Sequence, residues 1–397
     1  MRRLAGNLLL FLTMLLLLAA CGGDTPDVPT LAATEAASET AAPPPAEPTD
    51  TAEPENTAEP QATDTRETQA TDTPAPRPTQ KEPPTAAPTV AQAPELALAA
   101  STFTHSSGGF SLVPPSRWRS EESSGAASFD APDGTGFIYV QITNTGYELD
   151  GQAFANFVTH RDLNFFDDFA DYELISQEID QSNGQATVTK YLTFDGVPQT
   201  VVTFYDQYGP IIYSYDFWAD EEFFDAYDAL YGEVLGTAEV NPQAAAEGQA
   251  EYLWVYNFTG PNDLFEIDVP TAWQYERTED GTTIIDTFYA PDGHAVIQNI
   301  TFDEGTELSR TQAAQLGREW LKDAYAQDMR FLDDRVQPDG SERLTWTSAA
   351  SDMSGISFLE ARGTTFLLFT AMYDNEFGDV YLETLEYTIS SYTIPEP

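Results

Sequence analysis

Three blocks of sequence occur twice in the same order, and they restrict this chain to two copies of one fold. Phe110-Ser-Leu112-Val-Pro-Pro115-Ser-Arg-Trp118 recurs as Phe265-Glu-Ile267-Asp-Val-Pro270-Thr-Ala-Trp273 at an offset of 155. Phe129-Asp-Ala131-Pro132-Asp133-Gly134 recurs as Phe288-Tyr-Ala290-Pro291-Asp292-Gly293 at an offset of 159. Further on, Phe204, Gly209, Asp220, Glu222, Phe223 and Tyr227 return as Phe358, Gly363, Asp374, Glu376, Phe377 and Tyr381, all at an offset of 154. Chance supplies one such match, not three in order. Two homologous domains follow, 101–242 and 250–397, joined by the polar Asn241–Gln249 segment.

Within one unit the blocks fall on recognisable elements. Phe110 and Leu112 alternate on a strand that ends in proline and a tryptophan-bearing loop. Ala-Pro-Asp-Gly is a turn, with proline at its second position and glycine at its fourth. Strands over 137–143 and 295–302 leave that turn. A helix comes next in each copy. Ser309 with Gln312 forms a capping box ahead of the apolar face Ala313, Leu316, Trp320, Leu321, Ala324 and Tyr325. Asp150 caps the first-copy helix, which buries Phe154, Phe157, Val158 and Phe165. Strands over 186–194, 201–206 and 211–217 turn at Asp195-Gly196 and Gly209-Pro210. A final helix opens at Asp220, and its counterpart at Asp374, with carboxylates that suit the helix dipole. The fold class is α+β: two tandem antiparallel sheets packed with helices.

The first hundred residues do not belong to this fold. Of 49 aromatic residues, only Phe11 lies there. Arg2 and Arg3 precede a nearly pure apolar run, Leu8 to Leu18, which fits a signal peptide over residues 1–20. Leu18-Ala19-Ala20-Cys21 resembles the lipobox of bacterial lipoproteins, which implies that Cys21 is lipidated and becomes the new N-terminus. Two or three acyl chains hold a protein on a membrane where one chain holds it weakly. Residues 21–100 are rich in Thr, Pro, Ala and Glu and carry short repeats such as Thr-Ala-Glu-Pro and Gln-Ala-Thr-Asp-Thr. Such a segment buries too little apolar surface to order itself, and reads as a disordered tether reaching roughly 50 Å as a coil. The expected location is extracytoplasmic, on the outer face of a bacterial membrane, with the lipid on Cys21 as the only anchor.

The opening Phe-x-[Leu/Ile]-x-x-Pro-x-x-Trp strand, the Phe-x-Ala-Pro-Asp-Gly turn and the closing hairpin and helix resemble the PsbP-like superfamily, named for an extrinsic photosystem II subunit. The resemblance covers nearly all of 103–240 and 258–394. It implies an α/β/α sandwich in each copy and an accessory binding role rather than catalysis. It transfers no site residues.

Charge and motifs narrow the function by exclusion. The chain carries 65 acids against 17 bases, a formal charge of −48, which argues against a nucleic-acid partner. A single cysteine excludes an intrachain disulfide and a cysteine-rich zinc site. His105, His160 and His294 stand in no metal-ligand spacing, and His294 reads as a surface turn residue. No nucleophile elbow, phosphate loop or dinucleotide fingerprint is present. No catalytic residue and no cofactor is assigned, and metal binding stays open. Two acidic, aromatic stretches, 165–172 and 216–225, have the composition of a cation, basic-peptide or sugar site, but their periodicity favours amphipathic helices with solvated acids. Three readings remain. The leading one is a non-enzymatic lipoprotein whose tandem domains bind an envelope protein or small ligand. The others are an envelope-protective acidic protein and a hydrolase with dispersed carboxylates. The charge is spread evenly, −20 over 101–250 and −19 over 251–397, which suits adaptation to a saline or acidic medium.

Overall fold

The computed structural model describes residues 96–248, 253–337 and 340–394. The signal peptide, Cys21 and all but the last residues of the expected tether lie outside them. Among the described residues, no helix is long and apolar enough to cross a membrane.

The first copy opens with β1 (Phe103–Thr104), β2 (Phe110–Leu112), β3 (Arg119–Ser123), β4 (Ala126–Asp130) and β5 (Gly136–Asn144). Helix α1 (Gly151–Phe166) leads to β6 (Ala170–Asp180), β7 (Gln185–Phe194), β8 (Val197–Tyr208) and β9 (Ile211–Asp220). It closes with α2 (Phe224–Gly236), β10 (Glu239–Val240) and α3 (Pro242–Gly248). The second copy runs β11 (Val255–Thr259), β12 (Glu266–Pro270), β13 (Gln274–Asp280), β14 (Thr283–Tyr289), β15 (Ala295–Asp303) and α4 (Arg310–Ala324). It finishes with β16 (Arg330–Val336), β17 (Glu342–Ser348), β18 (Met353–Arg362), β19 (Thr365–Asp374) and α5 (Gly378–Ser391). Each copy builds a seven-stranded antiparallel sheet of the same topology, β3-β4-β5-β9-β8-β7-β6 and β13-β14-β15-β19-β18-β17-β16. A meander of three strands crosses over through a helix to the far edge, and a second meander returns to pair with β5 or β15.

Alternation sorts the two faces. On β9, Tyr213, Tyr215, Phe217 and Ala219 meet Phe129, Ile138, Val140 and the α2 residues Tyr227, Tyr231 and Val234. The intervening Ile212 and Trp218 turn to the α1 side, where Phe154, Phe157, Val158 and Phe166 pack. With helices on both faces β9 is buried along nearly its whole length, so it shows no amphipathic period. Full burial of each large apolar side chain contributes about 1.5–3 kcal/mol.

Local chemistry explains the joints. Gly134 and Gly293 take φ of 77° and 80° and donate back to Ala131 and Ala290 at 3.0 and 2.9 Å. Asp150 accepts from the amides of Gln152 and Ala153, and Ser309 with Gln312 forms the expected capping box. Asp195 and Gly196, both at positive φ, form the β7–β8 turn.

Four expectations are corrected. The segment 165–172 is not one amphipathic helix: α1 ends at Phe166 and β6 begins at Ala170. Nor is 216–225, which crosses the end of β9 and a 3-10 turn at Glu221–Phe223 before α2 begins. The last helices do not open at Asp220 and Asp374: those residues begin 3-10 turns, without side-chain cap bonds, and α2 and α5 start at Phe224 and Gly378. Gln199 donates to Asp220, and Asp374 pairs with His294. The segment read as a polar joint contains α3, whose Ala245 is fully buried in the first core.

Candidate functional site

Four charged side chains stand where periodicity demands apolar ones. Lys190 occupies an inward position on β7 between Val188 and Leu192, and Arg161 and Asp162 lie on the buried face of α1. Asp216 faces them from β9. Arg161 grips Asp216 with both terminal nitrogens, at 2.9 and 2.8 Å, and also donates to Gln141 at 2.8 Å. Lys190 donates to Asp162 and to Thr203 Oγ1, at 2.8 Å for the latter, and Thr203 passes its hydroxyl proton toward Asp216 at 2.6 Å. The Lys190 ammonium also rests 3.7 Å from the centre of the Phe166 ring. Burial opposes the Arg161 charge, but Asp216 outweighs it and keeps the guanidinium above its ordinary value. Burial also opposes ionisation of Asp216, yet Arg161 holds it below the usual carboxylate range. Burial pushes Lys190 down to about 8 and Asp162 upward against the pull each exerts on the other. The charges cancel, and the four residues are 0–3 % exposed. Such a network fixes α1 on the sheet; it offers no face to a substrate.

The second copy solves the same position differently. Lys190 lies opposite Val201 in its ladder, and Trp346 lies opposite Gly355, the residue that corresponds to Val201. Trp346 Nε1 donates to Ser357 at 2.9 Å, and Ser357 bonds Thr370 at 3.0 Å. These stand where the first copy has Thr203 and Asp216. A Cβ on Gly355 would come within 2.4 Å of the Trp346 ring, so the indole and the glycine require each other. Counted from the caps Asp150 and Ser309, Trp320 and Leu321 replace Arg161 and Asp162. The inner polar thread survives, while Lys190 and Arg161 have become rings and Asp162 a leucine.

The surface feature that suits a ligand is a groove of about 560 Å³ on the α2 side of the first sheet. Phe204, Tyr215, Leu235 and Ala238 form its apolar wall, and Glu178, Asp180 and Asp206 its rim. None of its lining residues is a lysine or arginine. Tyr208 donates to Asp206 at 2.6 Å, which raises the phenol to about 12. Hydrogen bonds from Ser182 and Asn183 hold the Asp180 carboxyl below its ordinary value. The corresponding positions in the second copy differ in charge and bulk. Arg362 stands for Tyr208 and bonds Glu360, the counterpart of Asp206, at 2.6 Å. Tyr392 stands for Ala238 and packs on Phe369 with ring centres 4.6 Å apart.

The two domains meet head to tail. Tyr147, in the loop before α1, donates to Asp292 and packs edge-on against Tyr381. Asn156 donates to the Pro291 carbonyl at 2.7 Å, and Asn164 to those of Thr271 and Trp273, both at 2.8 Å. Trp254 returns a bond to the Ile142 carbonyl at 2.7 Å. Repeated motif residues thus form the receiving surface.

The histidines take separate local roles. His105 is buried, bonded to Ser107 and the Ser123 carbonyl at 2.7 and 2.9 Å. Burial lowers the pKa of His160 on α1. His294 is more than a turn residue: it stacks on Phe377 at 3.7 Å and bonds Asp374 at 2.7 Å. Among the described residues, no three His, Cys, Asp or Glu side chains converge as a metal site. Cys21 lies outside the described residues.

No protein-family model matches the sequence, and no curated protein matches it. Solved structures do. The chain is similar to cyanobacterial PsbP (CyanoP) from Synechocystis sp. PCC 6803 at 16% identity, over 36% of this chain and 92% of that one, with a TM-score of 0.28. It is similar to a Pseudomonas aeruginosa protein of unknown function at 12% identity, over 37% and 98% of the two chains, with a TM-score of 0.26. The immunity protein TplEi of the Pseudomonas aeruginosa T6SS matches at 12% identity over 70% of this chain and 97% of its own, with a TM-score of 0.20. The resemblance to PsbP is distant and structural.

Proposed function

We propose that this protein is a non-enzymatic binding lipoprotein, held on the outer face of a bacterial membrane by lipid on Cys21. Residues 21–100 space two modules, 101–242 and 250–397, away from the bilayer, and the first module takes a positively charged ligand segment. The observation that carries the ligand class is the first-domain groove: three carboxylates around an aromatic wall with no base among the lining residues. Rings supply contact area and cation–π attraction, and carboxylates supply charge. The second copy answers its own rim acid with Arg362, which leaves the first copy as the receptive one.

Titration of Lys- and Arg-rich peptides into the chain carrying Cys21→Ser, at low salt, tests the reading. Basic peptides should bind and acidic ones should not. Tyr208→Arg, which copies the Arg362 arrangement at a 40 % exposed position, should weaken binding about tenfold or more without loss of fold. Equal binding by that variant would place the peptide elsewhere on the acidic surface and overturn the groove. The anchor has its own test: Cys21→Ser should move the protein from the membrane to the soluble extracytoplasmic fraction.

A further inference from the structure

The buried pair Lys190 and Asp162 is a matched nucleophile and electrophile. Lys190 Nζ donates to an Asp162 oxygen, so the nitrogen already touches the carboxyl group. Both side chains are almost wholly buried, and the Phe166 ring covers the nitrogen from 3.7 Å. In water such a pair stays ionised, and a carboxylate does not accept an amine. In this pocket burial opposes both charges, lowering Lys190 to about 8 and raising Asp162. Transfer of one proton along the shared hydrogen bond turns the ion pair into a free amine facing a neutral carboxylic acid. Those are the partners that condense to an amide.

The surroundings suit that reaction. Thr203 Oγ1 accepts from Lys190 at 2.8 Å and donates to Asp216 at 2.6 Å, so a proton leaving the nitrogen has a path that ends on a carboxylate. The Tyr172 and Tyr205 hydroxyls lie 3.4 and 3.5 Å from the two Asp162 oxygens, where donors meet the charge that builds there during attack. Well-oriented groups within one molecule reach effective molarities of about 10⁵–10⁸ M, which offsets the reluctance of an amine and an acid to condense in water. Both reactants belong to the chain, so the lack of an open face is no obstacle. The second copy has neither partner, since Trp346 and Leu321 stand at these positions. The single cysteine excludes an intrachain disulfide, whereas an amide brace needs no cysteine.

We propose that Lys190 and Asp162 join in an intramolecular isopeptide bond, formed once α1 packs on β7. The Nζ lone pair attacks Asp162 Cγ and makes the C–N bond. The Cγ–O bond to the carboxyl hydroxyl then breaks, and the hydroxyl leaves with one amine proton as water. No oxidant, cofactor or second protein enters the balance. Until the bond forms, the two groups remain the ion pair described above, and Lys190 keeps its own titration. Afterwards a covalent link ties α1 to β7 across 28 positions of sequence.

Mass spectrometry of the folded mature chain carrying Cys21→Ser tests this. The intact mass should fall short of the sequence value by one water. Proteolysis should release a branched peptide that joins the Asp162 and Lys190 segments, and Lys190 is the only lysine between Lys81 and Lys322. The same chain held in urea from synthesis should keep its full mass, because the pocket assembles only on folding. Asp162→Asn gives a second readout. The same attack then expels ammonia, so this variant should lose that mass and yield the same branched peptide. The native-chain result decides the matter even if the variant does not fold. A folded native chain of full mass after prolonged incubation overturns the proposal. So does a loss of water that maps to a cyclised Asp-Gly turn, such as Asp195-Gly196, with no branch at Lys190.

Discussion

Lys190 is held by three partners at once: the Asp162 carboxylate, the Thr203 hydroxyl and the face of Phe166. Removing it leaves Asp162 buried beside no ammonium. Lys190→Met should therefore destabilise the first domain by about 3–5 kcal/mol, read from urea unfolding. The same residue gives the protein a pH signature. Its folded pKa lies at about 8 because burial outweighs its carboxylate partners. In the unfolded chain it returns to about 10.4. Between these values the unfolded chain holds a proton that the folded chain has released, so stability rises with pH through the window, by up to about 3 kcal/mol. Unfolding midpoints measured across that range should climb for the native chain relative to Lys190→Met. Parallel curves would show that the ammonium is not depressed.

At the scale of elements, the two copies offer two solutions to one packing problem, and they are exchangeable in principle only as sets. Lys190→Trp alone should be poorly tolerated because Val201 occupies the space that Gly355 vacates for Trp346. Lys190→Trp with Val201→Gly, Asp162→Leu, Arg161→Trp, Thr203→Ser and Asp216→Thr imports the second-copy residues at these positions. Its thermal midpoint should lie above that of Lys190→Met, since a well-packed apolar replacement of buried ions is often neutral or stabilising. The elements legible in the sequence were those with a one-sided environment or a special backbone: the capped helices, the Pro-Asp-Gly turns, and strands such as β7. Edge strand β3 is exposed at every residue, and β6 at most, so neither carries an apolar period. The inward side chain of Asp216 was hidden for the opposite reason, because β9 is covered on both faces and shows no apolar period. The buried network did leave a signal: charges at inward positions of Ala186–Phe194 and on the apolar side of α1. The groove was not legible, because its walls come from five separate segments and its contrast with the second copy needs the aligned folds.

Across the whole molecule, like charge is the dominant long-range term. Charges of −20 and −19 on adjoining domains repel, and screening shortens from about 10 Å at 0.1 M salt to about 3 Å at 1 M. The thermal midpoint should rise as salt increases through that range, and a flat response would indicate that the acids are already compensated locally. The domain joint resists this repulsion through short-range contacts. Asn164→Ala removes two of its hydrogen bonds and should cost about 1–3 kcal/mol of interdomain coupling, seen as separation of the unfolding transitions of the two domains. The same joint governs how the copies can diverge. Tyr147, Asn156 and Asn164 evolve against a fixed partner encoded by the same gene, so a change on either side must be matched within one polypeptide. Thr306, Gln315 and Asp323, at the corresponding positions before and along α4, are exposed and take no part in that joint. Duplication has thus split one ancestral surface into two lineages, one bound to its history and the other free to acquire a use.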